Sequence, residues 1–236
     1  MASKAPRRDH GWWPYLLPYF VFLLLGEVQA RLAPEVVPFF RAGRVALTAA
    51  LLLYFFRRGR YPELRGYPAQ LAPLDGVVGV VGLALWVVPY LAIAALPRPA
   101  PGEGFHPEAL GEAWQPYVLA ARFVGFALVT PVMEELFVRS FLLRWLDVYD
   151  TTEDFRKVPI GRYRPRSFWI TIVAFTVSHA RWEWPVAAAW CALANGWLYR
   201  RRHIGSAIVL HAATNAGLFL LALAADGWGH DLWWFL

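Results

Sequence analysis

Cysteine is almost missing from this chain, with Cys191 the single one in 236 residues. That excludes an internal disulfide, a thiolate zinc cluster and a dithiol redox pair. Lysine is nearly as scarce. Only Lys4 and Lys157 occur among 23 basic residues, and all the others are arginine. With abundant Ala, Gly, Pro and Trp, this is the coding bias expected of a GC-rich bacterial genome. Charge is thin as well, at 17% against about 25% in an average soluble domain. The apolar fraction of 58% is spread over several long runs, too many to hide in one water-soluble core. The same abundance of apolar residues excludes disorder. A net charge of +6 and a pI near 9.7 would suit nucleic acid, but the bases alternate with apolar stretches, as membrane orientation demands.

What is present reads as an all-α, polytopic transmembrane helical bundle. Crossing ~30 Å of hydrocarbon takes about 20 largely apolar residues. Candidate spans run 14–31, 38–56, 75–96, 117–138, 168–184, 186–200 and 204–225, seven in all, with six or eight as alternatives. Four arginine-rich segments fall on one side of a seven-span chain. They are the N-terminus with Arg7 and Arg8, Arg57-Arg58-Gly59-Arg60, the stretch Arg156 to Arg166, and Arg200-Arg201-Arg202. The positive-inside tendency makes that side, and the N-terminus, cytoplasmic. The opposite side receives the weakly acidic stretch Pro97 to Trp114 and a tail whose Trp228, Trp233, Trp234 and Phe235 suit a membrane interface. Residues 1–236 read as one integral-membrane domain, with a cytoplasmic segment 1–13 and a motif-bearing core at 118–223. Arg7-Arg8 followed by an apolar stretch and Val28-Gln29-Ala30 imitates a signal peptide, although Pro14 and Pro18 interrupt it and more spans follow.

Ionisable groups within a bilayer cost about 2.5–3.5 kcal/mol each on the insertion scale, and are functional candidates by default. Three places stand out: Glu134-Glu135 with Arg139 on span four, Phe175 to His179 on span five, and His211 with Asn215 on span seven. Glu135 and Arg139 are four apart in the favoured acid-before-base order and can pair on one helix face. Glu134 points about 100° away and is left without a local partner, so it is a candidate base. His211 and Asn215, also four apart, can meet one substrate atom together. At ~1.5 Å per residue, His211 lies about 10 Å and His179 about 16–18 Å inside, with Glu134 roughly 5–10 Å below the cytoplasmic surface. Two bland pairs complete the list. Glu27 and Arg31 suit a buried structural pair, and Arg181 with Glu183 suits an interfacial cluster.

These motifs resemble the intramembrane CAAX-protease and bacteriocin-processing family, whose pattern is E-E-x-x-x-R, then F-x-x-x-H, then H-x-x-x-N. Glu134-Glu135…Arg139, Phe175…His179 and His211…Asn215 match it in order, over roughly Val118 to Leu223. The resemblance implies a helical bundle with a cavity open toward the cytosol, and proteolysis near the C-terminus of a membrane-anchored protein or peptide. It implies Glu134 as the base that activates water, His179 as the group that orients that water, and His211 and Asn215 as oxyanion stabilisers. Glu135, Arg139 and Phe175 are supporting residues. No cofactor and no metal is expected, the alternative being a zinc ion on Glu134, His179 and His211. The competing functions are a proton- or ion-coupled transporter, which the absence of a sequence repeat disfavours, and a non-proteolytic membrane scaffold.

Overall fold

A computed structural model describes residues 11–100, 104–108 and 110–236. Lys4, Arg7, Arg8 and most of the segment 1–13 lie outside them. All regular structure among the described residues is helical, in seven main helices: α1 Trp13–Gln29, α2 Val37–Arg57, α3 Ala72–Ala92, α4 Gln115–Trp145, α5 Pro165–Val177, α6 Trp184–Arg201 and α7 Ile204–Asp226. Every one of α1 to α6 has a proline in its first turn. There the missing N–H would be unpaired anyway and the fixed φ is already helical, so prolines start these helices.

By length and apolar composition α2, α3 with its preceding turn, α4 and α7 are each able to cross a membrane. Their outer faces carry exposed Phe39, Leu47, Leu53, Val77, Val80, Leu91, Leu128 and Leu220, as a lipid-facing surface requires. The fifth span shrinks most against expectation, because α5 ends at Val177 after 13 residues, only about 20 Å. The fourth grows, since α4 runs on to Trp145 instead of stopping near residue 138. It stays helical by widening into π turns at Val124–Val129 and Leu136–Leu142, on either side of the glutamates.

Glycine and buried polar residues join the helices. α3 lies along α7. A Cβ on Gly79 would come within 2.5 Å of the Leu210 carbonyl oxygen, and one on Gly82 within 2.6 Å of Thr214 Oγ1. Small residues allow this approach, and the Thr214 hydroxyl donates to the Gly79 carbonyl at 2.8 Å. Asp75 of α3, fully buried, accepts from Tyr67 at 2.7 Å and from Trp197 and Arg201 of α6, both at 2.9 Å. Glu63, in the loop between α2 and α3, accepts from Tyr15 of α1 at 2.8 Å and also bonds Ser140 and Arg144 of α4. Polar pairing of this kind removes the penalty of burying each group alone.

Two expectations about surface features change. Glu27 and Arg31 are both exposed and no ion pair joins them, because α1 ends at Gln29 and Arg31 lies in the following turn rather than one helical turn on. Of the four aromatic residues in the C-terminal tail only Trp228 is exposed. Trp233 and Phe235 are buried, Trp233 against Phe105 and Phe219 and Phe235 against Tyr90.

Candidate active site

α4, α5, α6 and α7 converge on a cavity of about 160 Å³ lined by Glu134, His179, His211 and Asn215, with Phe175, Trp190 and Thr214 around them. Glu135 and Arg139 lie behind this lining and are fully buried. Phe175 is on α5 as expected, but His179 is not. It follows the end of α5 at Ser178, in a tight turn where its N–H donates to the Thr176 carbonyl and Trp184 Nε1 donates to its own carbonyl at 3.0 Å. Because α4 extends to Trp145, Glu134 sits about 16 Å from that end rather than within 10 Å of it.

Glu135 is the hub. Its Oε1 accepts from Arg139 Nη1 at 2.6 Å and from His211 Nδ1 at 2.9 Å. The sequence spacing explains the first bond only; the second crosses from α4 to α7 and exists through packing alone. Arg139 is fixed further by Asn195 Oδ1 at 3.2 Å, and Asn195 by Thr171 Oγ1 at 3.0 Å. Its guanidinium lies over the rings of Phe175 and Trp190, 5.3 and 5.2 Å from their centroids. Held in this way, Arg139 supplies the charge that allows a carboxylate at this depth.

His211, His179 and Asn215 each have one face bound and another turned to the cavity. His211 gives Nδ1–H to Glu135 and leaves Nε2 3.9 Å from Glu134 Oε2. His179 gives Nδ1–H to the Phe175 carbonyl at 2.8 Å, which places a proton on Nδ1 and leaves Nε2 without a hydrogen-bond partner among the described residues. Asn215 donates through Nδ2 to the Phe126 carbonyl at 2.8 Å, within the first π turn, and keeps a second N–H. Widened turns of this type free a backbone carbonyl and recur at functional sites. Glu134 forms no hydrogen bond among the described residues and is partly open to the cavity, its side chain 18% exposed.

The cavity also has residues that the sequence reading did not assign to it. Glu183, read there as interfacial, lines it, because the short α5 and the turn after it bring residues 179 to 183 inward. The C-terminal Phe235 and Leu236 line it, as do Arg122 and Trp86. Trp190 packs 4.5 Å from the His211 ring and 5.3 Å from that of Phe175, its Nε1–H on Thr214 at 3.2 Å. Arg122 and Glu183 were visible only as charged residues near span ends. Arg122, Glu183 and Leu236 all lie at the end of the bundle away from the arginine-rich loops. No group of three or more His, Cys, Asp or Glu side chains among the described residues is placed to share one metal ion.

Residues 116–217, which include all three motifs, match the family model described as type II CAAX prenyl endopeptidase Rce1-like. No curated protein and no solved structure matches the chain. Over this motif-bearing region the chain is similar to the Rce1-like type II CAAX prenyl endopeptidases.

Proposed function

We propose that the chain is an intramembrane endopeptidase that hydrolyses a peptide bond of a membrane-anchored protein or peptide with a water activated by Glu134. The observation that supports this most is the convergence of an unbonded carboxylate with two imidazoles and an amide, each oriented by its own partner, in one cavity. Glu134 accepts a proton from water as the hydroxide adds to the scissile carbonyl. His179, through Nε2, holds that water. The free Nδ2 hydrogen of Asn215, joined by Nε2–H of His211 when that ring carries both protons, meets the oxygen that becomes negative, a contribution worth roughly 3–4 kcal/mol per donor in a soluble protease. The proton on Glu134 then passes to the amide nitrogen, the C–N bond breaks, and an acid and an amine leave.

Glu135 acts through His211, holding its ring orientation as a carboxylate does behind a catalytic histidine. No metal is required in this scheme, and chelation is expected to leave activity intact. Strict dependence on added zinc after chelation would overturn the metal-free reading. In proteoliposomes, Glu134→Gln is expected to lower cleavage by at least about 10²-fold while insertion and melting temperature are kept. Full activity of that variant would sink the assignment of Glu134 as base. The substrate is best found by trapping: proteins retained by Glu134→Ala and shortened only by the unmodified enzyme are the targets.

A further inference from the structure

The cavity is too small for the peptide proposed to enter it. Its volume of about 160 Å³ falls below the ~300–1,000 Å³ of an ordinary ligand pocket. Some part of the lining must therefore move before Glu134 can meet a peptide bond. Most of that lining is carried by α3 to α7, which pack along one another. The turn that bears His179 and Glu183 is tied down as well. Ala180 N–H donates to Glu183 Oε2 at 2.9 Å, Trp184 Nε1 to the His179 carbonyl at 3.0 Å, and the Tyr90 hydroxyl to the Trp182 carbonyl.

Residues 231–236 are the exception. Phe235 and Leu236 line the cavity from one tight helical turn, Trp233–Phe235. Among the described residues a single hydrogen bond joins this segment to the rest of the chain, from the Phe105 N–H to the Trp233 carbonyl at 3.3 Å. Its other hydrogen bonds are internal, such as the Trp233 N–H to Asp231 at 2.9 Å. Trp233 Nε1 is buried without a partner, a cost that undocking relieves. What holds the segment is ring contact. Trp233 packs on Phe105 and Phe219, while Trp234 and Phe235 pack on Tyr90, 5.6 and 5.7 Å between centroids, and on Trp182. Apolar burial is non-directional, and the lost freedom of six residues opposes it. A peptide with apolar side chains can take the same places on Tyr90 and Trp182.

We propose that residues 231–236 are a lid on the active site, docked where the peptide must lie and displaced when the peptide enters; this rests on the protease reading above. While the lid is docked, Phe235 and Leu236 fill space in the cavity of Glu134, His179 and His211. Peptide and lid then compete for one apolar wall. The apparent affinity for peptide is lowered by the fraction of molecules that are open, so the lid acts on KM and leaves the chemical step alone.

The test reads access before turnover. Thr130 lines the cavity without a part in the proposed chemistry, and Cys191 is buried, so Thr130→Cys reports entry. In phosphatidylcholine nanodiscs it is treated with a small methanethiosulfonate, which fits the cavity, and with a maleimide carried on a short alanine peptide, which does not. Removal of residues 232–236 is expected to speed the peptide reagent at least about 10-fold and the small reagent less than about twofold. Trp234→Ala, which keeps the buried Trp233 and Phe235, repeats the comparison with less loss of packing, and melting temperature reports the fold of both variants. Unchanged rates for the peptide reagent overturn the proposal. A rise of both reagents together also overturns it, because the whole bundle has then loosened. With a cleavable peptide, Trp234→Ala is expected to lower KM by up to about 10-fold with kcat changed less than about twofold. Access controlled by the tail in a protein that cleaves nothing would refute the protease reading alone. Cleavage with access and KM indifferent to the tail would refute the lid alone.

Discussion

Glu134 and Glu135 are adjacent, yet their surroundings are opposite. Glu135 is fully buried and bonded to both Arg139 and His211, while Glu134 is partly open and forms no hydrogen bond among the described residues. The 100° between consecutive helical side chains is enough to anticipate this contrast, and the four-residue spacing anticipates the bond to Arg139. The bond to His211 is not legible in the sequence, because it joins positions 76 apart. It turns Glu135 from a helix support into a positioning residue for His211. Glu135→Gln is therefore expected to lower kcat by about 10²- to 10⁴-fold with KM changed less than about twofold. Asn195→Ala, which removes an outer contact of Arg139, would lower melting temperature with a far smaller effect on kcat. A parallel fall of stability and kcat in both variants would reduce Glu135 to a structural role. At this scale His179 shows the limit of spacing: F-x-x-x-H suggests two residues on one helix, but the helix stops at Val177.

At the scale of elements, prolines and apolar runs place the start of each of the seven helices within a few residues, and the departures at their ends have local causes. α4 outlasts its apolar run because Glu63 pairs Arg144 and hydrogen-bonds Ser140. α5 stops early and its successor begins with Pro185, so the turn 178–183 is drawn into the bundle with Glu183 on the cavity. The α3–α7 contact depends on Gly79, and nothing in the sequence distinguishes it from Gly76, where a Cβ would meet nothing within 4 Å. Gly79→Ala is expected to destabilise the bundle by about 1–3 kcal/mol, as overpacking does, whereas Gly76→Ala is neutral or stabilising; thermal unfolding in detergent checks both. The turn between α6 and α7 puts Arg202 at φ 58°, in the left-handed region. Arg202→Gly is expected to raise stability by up to about 1 kcal/mol, and a drop would show that the arginine side chain itself holds the turn.

For the whole molecule, the arginine-rich loops follow α2, α4 and α6, so the up-and-down order of the helices gathers them at one end. The positive-inside tendency then predicts that a cysteine replacing Arg60 or Arg162 reacts with an impermeant thiol reagent only from the cytoplasmic side, and one replacing Glu112 only from the opposite side. Cys191 is buried and leaves a clean background. The reverse labelling pattern would show that the loop charges do not orient this chain. Composition and periodicity alone determined that this is a helical membrane protein with a few ionisable groups where none are expected, since bilayer thickness and the cost of buried charge act on the chain one segment at a time. Only the tertiary structure decided which of those groups meet. It joined Glu135 to His211, brought Glu183, Phe235 and Leu236 to the cavity, and gathered Arg41, Arg44 and Arg122 around one recess. Such contacts arise between helices distant in sequence, where close packing sets the neighbours and no local pattern records them.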